Sequence, residues 1–236
     1  MIADILEKWC TENHLPLSDD QKNAFLRYAA LLLEWNQKMN LTAITDPQEI
    51  AVKHFIDSIS LLKTVELKAD ASLIDIGTGA GFPGIPLKIM RPDLQVTLLD
   101  SLNKRLIFLE EVCSSLKIKV SLLHARAEEY GQKPEYREKF DYAVSRAVAN
   151  LPSLCEYCIP YIKVGGYFIS MKGPDGTAEL QTAGNAVKML GCKADATHRL
   201  SLPDNSDRTI ICIKKLSSTP KKYPRRGVKI SKQPLS

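Results

Sequence analysis

No stretch of this 236-residue chain approaches the ~20 consecutive apolar residues of a membrane-spanning helix, so no membrane role is expected. The opening residues Met1-Ile2-Ala3-Asp4-Ile5-Leu6-Glu7 lack the basic start of a signal peptide, which reads as a cytoplasmic protein. Cysteine is too sparse and scattered for a disulfide framework. Cys10, Cys113, Cys155, Cys158, Cys192 and Cys212 all fall in apolar segments, as buried reduced thiols do. Cys155-x-x-Cys158 has no second ligand pair, so no metal site is expected. Internal repeats are absent, and so is low complexity outside the last segment. What remains, 44% apolar and 25% charged, is ordinary for a globular protein large enough for a full core.

One further absence is local. Residues 214–236 contain no acid, but hold Lys214, Lys215, Lys221, Lys222, Lys229, Lys232, Arg225 and Arg226. That is +8 in a chain of net charge +5, so residues 1–213 carry −3. A basic tail on a slightly acidic body fits a polyanionic partner, with nucleic acid first among them. A merely solvated terminus fits the same composition, and the tail by itself leaves both readings open.

The first 65 residues read as a helical cap. Ile2, Ile5, Leu6 and Trp9 share one helix face, and Ser18-x-x-Gln21 forms a capping box. Phe25, Tyr28, Leu32, Trp35 and Met39 then recur at three- and four-residue steps, the stripe of a packed helix. Residues 50–62 predict another helix. From residue 66 to 216 strands and helices alternate. The predicted strands are 73–76, 95–99, 120–123, 140–145 and 166–171, with helices at 85–90, 102–116, 153–162 and 178–190 between them. Such alternation predicts a mostly parallel sheet covered on both faces. Two last strands, 194–202 and 208–216, are joined only by Pro-Asp-Asn-Ser-Asp and must run antiparallel. A parallel sheet ending this way is the outline of a class I, Rossmann-like methyltransferase, followed here by a basic tail at 217–236.

The residues richest in chemistry lie between the first strand and its helix: Asp75-Ile76-Gly77-Thr78-Gly79-Ala80-Gly81-Phe82-Pro83-Gly84. Glycines two apart let backbone bend sharply and a ligand lie against it. At the carboxyl end of a first strand this makes a nucleotide crevice, open to a dinucleotide or to S-adenosylmethionine. Gly79-x-Gly81-x-x-Gly84 matches the dinucleotide fingerprint, but it starts too far beyond the strand. Read from Gly77, its third glycine would be Phe82. Pro83 also stands where a pyrophosphate wants free N–H groups. S-adenosylmethionine has no phosphate and needs only close backbone and an apolar wall, which Gly77, Gly79, Gly81 and Phe82 provide. Asp100, ending the second strand, can accept both ribose hydroxyls or cap the following helix. After the third strand comes the loop with Ala127 and Glu128, which in this fold borders an adenine; Glu128 fits a base-edge contact and a surface charge equally.

The fourth strand ends Ser145-Arg146-Ala147, where methyltransferases place substrate chemistry. An Asn/Asp-Pro-Pro-Tyr stretch for exocyclic amines is missing, and so is a cysteine nucleophile for pyrimidine C5. Guanine N7 needs neither. Its lone pair is free, no proton leaves, and alignment with desolvation suffices. Arg146 can fork onto a carboxylate or a phosphate, or sit in an ion pair with Asp141 or a neighbour.

With those residues in hand, the chain resembles the bacterial 16S ribosomal RNA guanine-N7 methyltransferase family, also called the glucose-inhibited division protein B family. The likeness runs almost end to end. It takes in Trp35-Asn36, Asn40-Leu41-Thr42-Ala43-Ile44-Thr45, Lys53-His54-Phe55-Ile56-Asp57-Ser58 and the glycine turn. It continues through Asp100-Ser101-Leu102-Asn103-Lys104-Arg105, Arg126-Ala127-Glu128, Ser145-Arg146-Ala147-Val148-Ala149 and Tyr223-Pro224-Arg225-Arg226-Gly227. The resemblance implies methylation of N7 of guanine 527 in the 530 loop of 16S rRNA. The small ribosomal subunit is then the partner, and nothing demands more than a monomer. Cofactor contacts carried over are Gly77, Phe82, Ala127, Glu128 and Arg146; Gly79, Gly81 and Asp100 come from the residues themselves. The family often has two residues between the tail's Arg and Gly, whereas here only Arg226 separates Arg225 from Gly227. That departure bears on the expected RNA contacts of Lys221, Lys222, Arg225 and Arg226.

Overall fold

The computed structural model describes residues 1–235; the expected tail runs on to Ser236, which lies outside the described residues. Helix α1 (Ile2–Glu12) buries Ile2, Leu6, Trp9 and Cys10. Helix α2 (Asp19–Asn36) starts at the expected box: Gln21 N–H donates to Ser18 Oγ and Ser18 N–H to Gln21 Oε1. The Gln21 amide then reaches out of the cap and donates to Ile89 O. Phe25, Tyr28 and Leu32 are fully buried, while Trp35 packs on Phe108 with ring centroids 5.7 Å apart.

The helix expected over residues 50–62 is not one α-helix. After a short turn α3 (Pro47–Glu49), Ile50–Ile56 is wound as a π-helix, followed by the turns α4 (Asp57–Ile59) and α5 (Leu61–Thr64). Rare π turns widen a helix and re-aim its side chains, and they gather at functional sites. This one buries His54 and Phe55, with Asp57 of α4 buried directly after it.

The sheet has seven strands in the order β3-β2-β1-β4-β5-β7-β6. They are β1 (Ser72–Ile76), β2 (Gln95–Asp100), β3 (Ser121–His124), β4 (Phe140–Arg146), β5 (Ile162–Lys172), β6 (Cys192–Ser201) and β7 (Asp207–Lys215). All pairs from β3 across to β5 are parallel. β7 alone runs against its neighbours, in register with β5 from Tyr167↔Lys214 to Lys172↔Thr209. The helices between are α6 (Gly84–Met90), α7 (Asn103–Leu116), α8 (Ala127–Tyr130), α9 (Leu151–Cys158), α10 (Gly176–Thr182) and α11 (Gly184–Met189).

Three boundaries differ from expectation, two of them because of one proline. The helix expected to reach Ile162 stops at Cys158, because Pro160 holds the next residues in a 3₁₀ turn. β5 therefore begins four residues before the expected Gly166. The helix expected over 178–190 is two, broken at Ala183.

One apolar cluster joins Phe25, Tyr28 and Phe55 of the cap to Leu73, Val96 and Leu98 of the sheet. A second lies on the opposite face around α9, with Cys155, Cys158 and Ile159 at its centre. All six cysteines are free and buried, Cys10 in α1 and Cys155 and Cys158 in α9.

The tail is folded rather than solvated. Residues after β7 cross back over α8 and α9 and end in α12 (Gly227–Lys232), burying Tyr223, Ile230 and Leu235.

Candidate functional site

β1 lies where the strand order reverses, and ligands of open α/β sheets bind at that switch point. A cleft of ≈ 670 Å³ opens there, within the size range of ligand pockets. Its floor is the glycine turn. Gly77 (φ 72°) and Gly79 (φ 61°) are left-handed, a region that costs ordinary residues about 1–2 kcal/mol. A Cβ on Gly77 would lie 2.7 Å from Val148 Cγ2. Gly77 and Thr78 N–H both donate to Leu99 O, tying the turn to the end of β2. Tyr28 of α2 donates its hydroxyl hydrogen to Ala80 O from above.

Asp75 is fully buried under the turn. Its Oδ2 accepts from Thr78 Oγ1 (2.7 Å) and Gly84 N–H (2.9 Å), while Oδ1 has no partner. Burial raises its pKa to about 6, opposed by those two hydrogen bonds. The Gly84 N–H opens α6, so an internal carboxylate already occupies the place a pyrophosphate would need. Gly81, at φ 98°, is outside the cleft. A Cβ there would meet Tyr28 Oη at 2.6 Å and Leu109 Cδ2 at 2.9 Å, so its glycine serves packing.

Asp100 faces the cleft and is 2% exposed. Gly79 N–H and Leu102 N–H donate to its two oxygens at 2.9 Å, and Arg105 Nη1 lies 3.2 Å from Oδ2. It is not the cap of α7, whose N-cap is Leu102; it closes a turn two residues earlier. A carboxylate has about four acceptor sites, so with these three donors in place capacity remains for one hydroxyl donor.

Arg146 pairs with a cap residue rather than with Asp141. Its Nη1 donates to Asp57 Oδ2 (2.9 Å) and to Lys53 O (3.1 Å), and its guanidinium lies 5.1 Å from the Phe82 ring centroid. Arg208 of β7 donates from Nε to the other oxygen of Asp57 at 2.9 Å. Two guanidinium groups on one carboxylate leave a net positive charge in this wall. His54 stacks on Phe82 (centroids 4.5 Å apart, planes at 10°) and pairs through Nε2 with Thr42 Oγ1. Burial, with Arg146 adding to it, lowers the His54 pKa to about 3, so the ring is neutral.

At the opposite end, Ala127 and Glu128 begin α8 and line the cleft with Tyr157 of α9 and Ser231 of α12. The expected tail residues divide here. Lys221, Lys222 and Arg226 are exposed, but Arg225 is bound to Glu156, a fully buried residue of α9, by Nε and Nη2 donors at 2.6–3.0 Å.

The cleft thus gathers Gly77, Gly79, Phe82, Asp100, Ala127, Glu128 and Arg146 from four segments. His54, Tyr157 and Ser231 belong to it too. The His-Phe pair inside an apolar run was a usable signal for His54, but Tyr157 and Ser231 had none. Among the described residues, no cysteine lines the cleft and no group of side chains could hold a metal ion. No described helix is long and apolar enough to cross a membrane. An adenosyl compound fits this donor set: bare glycine backbone, a buried carboxylate against it, an aromatic wall, and no N–H cluster for phosphate.

Comparison with known proteins points the same way. A ribosomal RNA small subunit methyltransferase G of Alkaliphilus oremlandii is 51% identical over 237 residues, covering 99% of each chain. The protein of that name from Lachnoclostridium phytofermentans is 53% identical over 223 residues, 94% of this chain and 92% of its own. Among solved structures, TrmN from Thermus thermophilus superposes with a TM-score of 0.52 at 16% identity, over 67% of this chain and 48% of that one. The ribosomal protein L11 methylase of Lactobacillus delbrueckii subsp. bulgaricus gives 0.53 at 16%, over 75% and 83%. These two show the fold alone: a class I methyltransferase sheet. The model of one family, GidB, rRNA small subunit methyltransferase G, matches residues 21–210, and with relatives at half identity along nearly the whole chain, this protein belongs to that family.

Proposed function

We propose that this protein transfers a methyl group from S-adenosylmethionine to N7 of guanine 527, in the 530 loop of 16S rRNA. It acts in the cytoplasm as a monomer on the small ribosomal subunit or its RNA. The observation that carries the reading is the pairing of an internally filled α6 N-terminus, Gly84 N–H on Asp75, with an open glycine turn beside Asp100. The first disfavours a dinucleotide; the second suits an adenosyl group.

When bound there, S-adenosylmethionine supplies a methyl carbon on a cationic sulfur, open to displacement by a nitrogen lone pair without loss of a proton. The chain's own part is to bind, orient and exclude water. Gly77 and Gly79 give backbone close approach, and Asp100 accepts a ribose hydroxyl. Arg146, its charge shared with Arg208 over Asp57, holds a carboxylate at the β4 end. Phe82 and the neutral His54 ring keep this wall apolar. Exposed Lys221, Lys222 and Arg226 attract phosphates.

The deciding experiment incubates the protein with methyl-labelled S-adenosylmethionine and small subunits lacking the modification, then maps the label by nuclease digestion and mass spectrometry. N7-methylguanine in the 530 loop is the expected product. Cofactor binding by calorimetry with no label in ribosomal RNA would overturn the substrate assignment and keep the methyltransferase.

A further inference from the structure

The tail was expected to meet RNA or solvent, yet its last helix lines the cleft. Ser231 sits on the cleft wall together with Ala127, Glu128 and Tyr157. Gly227, which opens α12, presses so closely on Glu128 that a Cβ would fall 2.2 Å from its Oε1. The segment is held by specific contacts from the rest of the chain. Arg137 donates to Tyr223 O and Thr219 O, and Gln132 donates to Pro224 O. Arg225 forks onto Glu156, and its Nη2 also donates to Gln233 O beyond the helix. Tyr223, Ile230 and Leu235 are buried beneath.

Which end of the ligand this wall meets follows from strand order. The glycine turn ends β1 and Asp100 ends β2, so a ribose on Asp100 directs its base onward to the end of β3, where Ala127 and Glu128 stand. The strap is packed against that corner.

We infer that residues 217–235 form the purine-side wall of the cofactor cleft, with Ser231 limiting what can project from the base and the Arg225–Glu156 pair latching the wall in place. The inference rests on the proposed reading that an adenosyl group occupies the cleft. Arg225 is a positioning residue, acting through α12; Ser231 is the one that faces the ligand. The same short segment also carries exposed Arg226, Lys229 and Lys232.

The test is calorimetric titration of the full chain with S-adenosylhomocysteine and with its N6-benzyl derivative, alongside thermal unfolding. The wild type is expected to prefer the unmodified ligand by more than about tenfold, 1.4 kcal/mol. Ser231→Trp, at an exposed position, should weaken S-adenosylhomocysteine by a similar factor and leave the melting temperature unchanged. Arg225→Ala should narrow the preference between the two ligands, and Arg225→Lys should restore part of it. A purely structural role for the pair would lower the melting temperature while leaving that ratio intact, which overturns the latch. Unaltered S-adenosylhomocysteine binding by Ser231→Trp, or a wild type indifferent to the benzyl group, overturns the wall. A wild type that binds neither ligand removes the underlying cofactor reading instead, so the two failures are distinct.

Discussion

The two walls of the cleft are held by opposite means. The cap wall is made of side chains packed on side chains: Phe25, Tyr28, Phe55 and Phe82 in ring contact at 5.0–6.2 Å, and Asp57 between two arginines. The tail wall is held largely through its backbone. Arg137 and Gln132 take carbonyls of residues 219–224, and Thr219 N–H donates to Glu138 Oε1. Aromatic packing demands particular residues at particular spacings. A carbonyl is the same at every position, so a strap recognised through carbonyls leaves little trace in its own composition.

The strongest way to break the cap wall is Asp57→Ala, which strands two guanidinium groups without their shared carboxylate. Urea unfolding should show a loss of about 3–5 kcal/mol, the range for removing one partner of a buried ion pair. Acid should separate the walls next. His54 binds a proton only near pH 3 when folded but near 6.5 when unfolded, so its contribution is complete above pH 6.5 and is lost as pH falls toward 3. Stability should drop by about 1 kcal/mol per pH unit in that window, and His54→Phe should flatten this part of the profile. Asp75 works in the other sense. Its raised pKa favours the folded state below about pH 4 and loses that benefit as pH rises through about 6.

Gly77→Asp attacks the floor common to both walls. A side chain at φ 72°, against Val148 and in the same cleft as Asp100, should weaken S-adenosylhomocysteine by at least about tenfold in calorimetry, 1.4 kcal/mol, with the fold retained. The smallest effect separates charges within the tail. Lys221→Ala, Lys222→Ala or Arg226→Ala should each reduce the salt slope of RNA binding by about one unit. Arg225→Ala should leave that slope alone, because its charge is already spent on Glu156.

The same contrast explains what could be read from residues alone. Period and glycine spacing located every strand of the sheet to within a few residues and the turn at Gly77–Gly79. Ser18 and Gln21 marked the start of α2 because a capping box is local. Arg146–Asp57 and Arg208–Asp57 were invisible, since their partners are 89 and 151 residues apart. The π winding of Ile50–Ile56 was equally hidden: periodicity shows an apolar helix but not which ladder it forms. Glu156 was the overlooked clue to the tail. A lone carboxylate in the apolar helix Leu151–Cys158 needs a cation, and the basic tail was where one could come from.

The six sealed cysteines give each wall its own clock. Burial raises every thiol whose shift is resolved, Cys10 and Cys212 to about 11 and Cys113 and Cys192 to about 12, so alkylating reagents can reach them only through opening of the surrounding structure. Cys10 lies in the first helix of the cap, whereas Cys155 and Cys158 lie in the helix that carries Glu156. Pulsed labelling followed by peptide mass analysis would therefore time the breathing of the two walls separately, within one unmodified protein.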